Sequence, residues 1–156
     1  MAEIPWSSGG WKGLQVARNA LPGFEAPGFD DSAWPAVTLP IGNGGTCPLP
    51  VSNPPATSWA ANTDFLLRRT VVGNAFRLRF AIDNDARIFF DGVSVGFFSN
   101  EDCPTRNDFA PHSGSLPSAG AHVLAIRCTD RGFTSYFDCE LELSSTGFLV
   151  GAGAFA

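Results

Sequence analysis

One short stretch constrains this chain more than any other. Ala86 to Gly96 carries Asp91-Gly92 at its centre, a two-residue turn whose backbone twist matches that of paired strands. Folding the stretch about that turn sets Phe90 opposite Val93 and Ile88 opposite Val95, four apolar side chains on one face. Just upstream, Leu78, Phe80 and Ile82 alternate with Arg77, Arg79 and Ala81, the period of a strand with one dry face. These two features side by side demand antiparallel sheet.

The rest of the sequence extends that reading. Val123 to Asp130 and Tyr136 to Leu143 flank Arg131-Gly132-Phe133-Thr134-Ser135 as a second hairpin. With Cys128 opposite Cys139, Ile126 meets Leu141 and Leu124 meets Leu143, again on one apolar face. Phe65 to Val72 forms another strand, and Val37-Thr38-Leu39-Pro40 a short one stopped by proline. Phe29 to Pro35 suits one helical turn, since Asp and Ser cap well. Otherwise residues 1–40 read as irregular, anchored by Trp6, Trp11 and Trp34, and residues 41–62 as a long loop of the functional kind. The 14 Phe and 4 Trp beside 17 Gly and 12 Pro favour many short strands over helices. The expectation is an all-β, two-layer antiparallel sandwich, with Leu78, Phe80, Ile82, Ile88, Phe90, Val95, Leu124, Ile126 and Leu141 buried.

Charge excludes some partners. A net charge of −5 and no basic run longer than Arg68-Arg69 argue against nucleic acid. The start, Met1-Ala2-Glu3-Ile4-Pro5-Trp6, has neither the basic nor the apolar region of a secretory leader, so none is expected. Gly147 to Ala156 is too short and too rich in Gly and Ala for a bilayer span, and no membrane insertion is expected. The four Cys leave their connectivity open, and no zinc spacing is present.

Several motifs together resemble a known family. Phe29-Asp30-Asp31-Ser32-Ala33-Trp34-Pro35 with Leu39-Pro40, followed by Leu66-Leu67-Arg68-Arg69-Thr70, resembles the opening of galactose-binding-like jelly rolls. The domain is similar to the sugar-binding domain that precedes the catalytic barrel in family 2 glycoside hydrolases. Ala86 to Gly96 resembles that family's hairpin, with Asp91 where Asn is usual. Gly120-Ala121-His122-Val123-Leu124-Ala125-Ile126-Arg127 resembles its "G-x-N-x-L-A-V-R" strand, with His122 at the usual Asn. The resemblance implies a jelly-roll β-sandwich, placed over residues 29–146; the residues themselves add an irregular segment 1–28 packed on it and an apolar Gly/Ala-rich tail 147–156 for a partner contact. It implies no catalysis, because the acids of those hydrolases lie in a separate barrel. Similar stand-alone jelly rolls occur as accessory proteins on bacteriophage tails and capsids. Asn62-Thr63-Asp64 with Asp130-Arg131-Gly132 resembles that group.

Candidate sites follow from side-chain chemistry. Trp59 with Asn62 and Asp64, and Asp130, Arg131 and Tyr136 on a second rim, offer the aromatic face and polar groups that a sugar needs. The competing reading of Trp59 is a cap on the open end of the core. Asp83 and Asp85 would lie about 7 Å apart on one side of a strand, but strand-end carboxylates more often bind backbone groups. Asp83, Asn84 and Asp85 also present hard oxygens for calcium, without the glycine and closing glutamate of an EF-hand. Neither His112 nor His122 accompanies a nucleophile motif.

The functional expectation is a non-catalytic virion accessory protein without cofactor, decorating a phage tail or capsid assembled in the host cytoplasm. Its partners are other virion proteins or copies of itself, with surface glycans as a further contact. The alternative is a carbohydrate-binding module, free or severed from a hydrolase. If the resemblance holds, Cys47 and Cys103 lie in loops at one end of the sandwich, where a bridge would close a long loop for about 4 kcal/mol. Cys128 and Cys139 are expected as buried thiols.

Overall fold

The computed structural model describes residues 3–45, 47, 54–105 and 112–144. Its strands are β1 (Trp11–Ala17), β2 (Ala36–Val37), β3 (Ile41–Gly42), β4 (Thr57–Ser58), β5 (Thr63–Val72), β6 (Ala75–Phe90), β7 (Val93–Asn100), β8 (His112–Ser115), β9 (Ala121–Thr129) and β10 (Tyr136–Ser144). Among the described residues no helix forms. The fold is a two-layered jelly-roll β-sandwich.

The long strand β6 organises the two layers. Its second half, Asp85 to Phe90, pairs with β9 on one side and β7 on the other. Its first half pairs with β10 and β8. One layer therefore runs β2-β1-β5-β9-β6-β7, and the other β4-β3-β10-β6-β8. The apolar alternation read from the sequence lies along this strand, and Leu78, Phe80, Ile82, Ile88 and Phe90 are all buried in the core. Leu124 and Ile126 of β9 and Leu141 of β10 join them from the two layers.

The first hairpin forms as the turn chemistry demands. Asp91 and Gly92 both have positive φ, 51° and 82°, as the tight hairpin turn requires. Phe90 pairs with Val93, but the register shifts between Ile88 and Phe89, so Ile88 faces Gly96 rather than Val95. Past the bulge Val95 is only half-buried, and Val93, beside the turn, is 65% exposed.

The second hairpin is corrected. β9 pairs with β5 and β6, and β10 with β6 and β3, so Cys128 lies beside Phe65 and Ala86 while Cys139 lies beside Phe80. Residues 131–135 carry the chain from one layer to the other. Both strands show apolar alternation because both face the same core, from opposite sides. Periodicity states which face is dry and not which strand lies alongside.

The N-terminal reading also changes. Residues 11–17, expected to be irregular, form β1 between β2 and β5, and Ile4 bridges Leu141 of β10. The sandwich thus begins well before residue 29. The segment Phe29 to Pro35 makes no helical turn but a tight one, with Trp34 N–H donating to Asp31 C=O at 2.9 Å. The long loop is interrupted by the two-residue strands β3 and β4. Beyond β1, residues 18–34 fold over the outer face of the first layer, where Phe24 and Trp34 pack on Leu66 and Ala125. The tail 147–156 lies outside the described residues.

Candidate functional site

Most of the anticipated sugar rim is inside the protein. Trp59 is fully buried in the main core, its Nε1–H donating to Thr63 C=O at 3.3 Å. Tyr136 is equally buried, so neither ring offers a face to a ligand. Buried Asp64 accepts from Arg127 Nη1 at 2.6 Å and from Asn19 N–H at 2.9 Å. Asp130, also buried, accepts from Asn62 N–H at 2.9 Å. Desolvation pushes its carboxyl pKa up, against the backbone donors of Asn62 and Gly132. These groups fasten the end of the sandwich. Of the six candidates, Asn62 and Arg131 reach the surface.

Arg131 lines an open pocket of about 440 Å³ with Cys47, Asp83, Asn84, Glu101, Asp102, Cys103, Gly132, Phe133 and Thr134. Its guanidinium forks onto Asp85, Nε at 2.9 Å and Nη2 at 3.0 Å, and Nη2 also meets Ser99 Oγ and the Glu101 carboxylate. Hydrogen bonds first to Asp85 and then to Glu101 raise its pKa further. Its backbone N–H donates to Asn84 Oδ1 at 2.7 Å. One arginine thus fixes the crossover loop to β6 and to the end of β7.

The other end of that loop is pinned separately. Asn43 Nδ2 donates to Phe133 C=O at 2.5 Å, and Asn43 Oδ1 accepts from the N–H groups of Ser135 and Gly45. Held at both ends, the loop projects the Phe133 ring, 93% exposed, at the pocket rim. Cys47 and Cys103 form a disulfide in the pocket wall, with Cα atoms 5.3 Å apart. The pocket therefore combines an apolar ring, carboxylate acceptors and a cross-linked wall.

Asp83, Asn84 and Asp85 do not converge as a calcium centre. Asp85 is taken by Arg131 and by Ser99 O–H at 2.7 Å, and Asn84 spends its amide on Arg131 and on Asn100 C=O. Among the described residues no three His, Cys, Asp or Glu side chains are arranged to hold a metal ion. The expected strand end is not there: Asp85 lies inside β6, paired on both sides, and its carboxylate bonds to the side chains of Arg131 and Ser99 rather than to backbone groups. His112 packs against the rings of Phe76 and Phe98, and His122 binds Asp91; neither lines the pocket. Phe133, Glu101 and Asp102 were not singled out from the sequence. The available signal was a bulky aromatic between Gly132 and Thr134, in a loop where nothing apolar is needed for a turn.

Comparison with solved structures places the fold. The chain superimposes on a beta-glucuronidase from Bacteroides uniformis with a TM-score of 0.56 at 15% identity, covering 90% of this chain and 17% of that one. A family 2 glycosyl hydrolase from Bacteroides cellulosilyticus gives 0.54 at 14% identity, covering 92% and 20%. The chain therefore spans about a fifth of the length of these hydrolases. The PA14 domain of the MpAFP antifreeze protein gives 0.52 at 15% identity and is matched almost whole, 94% of this chain against 92% of that domain. No protein-family model and no curated protein matches the sequence.

Proposed function

We propose that this chain is a non-catalytic carbohydrate-binding domain, and that its glycan site is the pocket beneath Phe133. The observation that carries the reading is the exposed Phe133 ring, held by a loop pinned at both ends beside the carboxylates of Asp83 and Asp102. A sugar presents C–H faces to an aromatic ring and hydroxyl donors to carboxylates, and the pocket volume admits a residue or two of glycan. The fold supports the same reading, since the resemblance is to sugar-binding jelly rolls. What supports binding without turnover is that the Asp85 carboxylate is occupied by Arg131 and Ser99.

The test is a glycan array probed with the isolated chain. Retention of a defined subset of glycans is expected, and its loss in Phe133→Ala; an array on which the wild-type chain holds nothing sinks the reading. Such a pocket would serve a free module or a phage particle surface alike. The virion reading drew its local support from residues 147–156, outside the described residues. Co-purification of the chain with virion proteins from its native source is the test of that setting.

A further inference from the structure

The pocket wall contains a covalent bond that can be opened. Cys47 and Cys103 are 56 residues apart in sequence and bring together two segments that support the Phe133 loop independently. On the Cys47 side, Asn43 holds Phe133 C=O and Ser135 N–H. On the Cys103 side, Glu101 holds the Arg131 guanidinium. The bridge thus couples the two supports of one binding loop.

We infer that the Cys47–Cys103 bridge is a redox switch for the glycan site, its reduction by a small dithiol loosening the pocket wall without unfolding the sandwich. The inference rests on the proposed function for the identity of the ligand, and on geometry alone for the loosening. Cys103 is exposed and Cys47 half-buried, so a thiolate can reach the bond. Neither belongs to the hydrophobic core, which is closed by the ladders of β5, β6, β9 and β10. The remaining thiols, Cys128 and Cys139, are buried, and that burial pushes both well above the ordinary thiol range. Exchange is therefore confined to one bond.

The chemistry is two successive displacements. One thiolate of the dithiol attacks a sulfur of the bridge, forms a mixed disulfide and releases the other cysteine as thiolate. The second thiol of the reductant then displaces the remaining cysteine and closes a cyclic disulfide. Two electrons and two protons pass from the dithiol to Cys47 and Cys103.

The experiment compares the oxidised chain, the chain treated with dithiothreitol, and the double variant Cys47→Ser, Cys103→Ser. Backbone hydrogen exchange and retention on a glycan array are read for each. Reduction is expected to speed exchange at Gly45, Asp102 and Ser135, leave β5, β6, β9 and β10 protected, and weaken retention about tenfold, the scale of re-ordering one or two loop side chains on binding. The double variant should match the reduced chain and ignore dithiothreitol. Equal loop exchange in both redox states overturns the switch whatever the array shows, as does equal retention where the oxidised chain binds glycan, or loss of protection throughout the core. An oxidised chain that retains no glycan, but whose loops open on reduction, supports the switch and overturns the glycan reading instead.

Discussion

His122 and Asp91 meet at 2.6 Å, Nδ1 to Oδ2, across the gap between β9 and the turn that joins β6 to β7. The second ring nitrogen, Nε2, lies 2.7 Å from Ser118 C=O, so both nitrogens face acceptors and the ring that donates twice is the imidazolium. Asp91 Oδ1 also accepts from Val123 N–H at 2.8 Å. Asp91 and His122 each stand where the motifs that this sequence resembles usually carry Asn. The two departures are partners.

Stability should therefore depend on pH through this pair. The hydrogen bond to Asp91 raises the His122 pKa, burial opposes it, and Ser118 C=O adds to the rise. For Asp91 desolvation is the largest influence and acts upward, but hydrogen bonds from His122 and Val123 outweigh it and the pKa falls. A raised histidine stabilises below its unfolded pKa, and that contribution is lost as pH climbs through the folded value. The lowered aspartate stabilises above its unfolded pKa and loses its share as pH falls through the folded one. Between pH 6 and pH 9 the wild-type Tm should fall by about 2–4 °C, the equivalent of about 1 kcal/mol for a charge-assisted bond to a partly exposed partner. His122→Gln should flatten that slope. Parallel wild-type and variant melting profiles would show that the pair carries no charge.

At the pocket, stability and binding should separate. Phe133→Ala removes a ring that touches little of its own protein, so unfolding free energy should stay within about 0.5 kcal/mol of wild type. Glycan retention should fall about tenfold or more. Arg131→Ala should do both kinds of damage, because it leaves the buried Asp85 carboxylate without its fork, at about 1–3 kcal/mol. Thermal melts beside array retention resolve the two patterns.

What the sequence revealed was what is local. The Asp91-Gly92 hairpin depends on turn chemistry and alternation within one short stretch, and both are written there. The partnership of β9 with β5 rather than β10 is not local, since Cys128 and Cys139 alternate correctly in either arrangement. β1 was hidden by Gly13, which occupies a core-facing position where a Cβ would come 2.7 Å from both Phe65 and Val37. A glycine there breaks the apolar alternation that marks a strand. Trp59, whose burial fits the core-cap reading, and Phe133, which was passed over, share one lesson: a sequence shows where aromatics are, and only packing decides which ring is covered.

The cover over the first layer should hang on one side chain. Arg68, buried on β5, donates to Asp31 at 2.9 Å and to the carbonyls of Phe24, Ala26 and Phe29. Arg68→Met should cost about 3–5 kcal/mol, because it strands those acceptors under the loop. Arg68→Lys should recover little of this, since an ammonium cannot reproduce the planar fork. Urea unfolding of the three proteins measures it, and a lysine variant as stable as wild type would reduce the role of Arg68 to that of a point charge.

The buried cysteines make the last prediction, and it follows from their being in facing layers. Cys128 and Cys139 both belong to the main core, and Cys128 has Phe65 and Ala86 as its ladder neighbours while Cys139 has Phe80. Each fills its place as a small apolar side chain, with no hydrogen bond required of it. Replacement by serine keeps the volume but buries a hydroxyl among rings and methyl groups, at about 1–3 kcal/mol per site. Replacement by alanine leaves a void of roughly one sulfur and should cost less, about 1 kcal/mol. The order alanine milder than serine, at both positions, is the expected result of urea unfolding. Serine as mild as alanine would mean that polar partners lie within reach of the site. Native alkylation adds an independent reading, because thiols sealed between two layers should react only as fast as the sandwich opens. Rapid labelling of either cysteine in the folded chain would place it at a surface, and the two-layer core described here would be wrong at that strand.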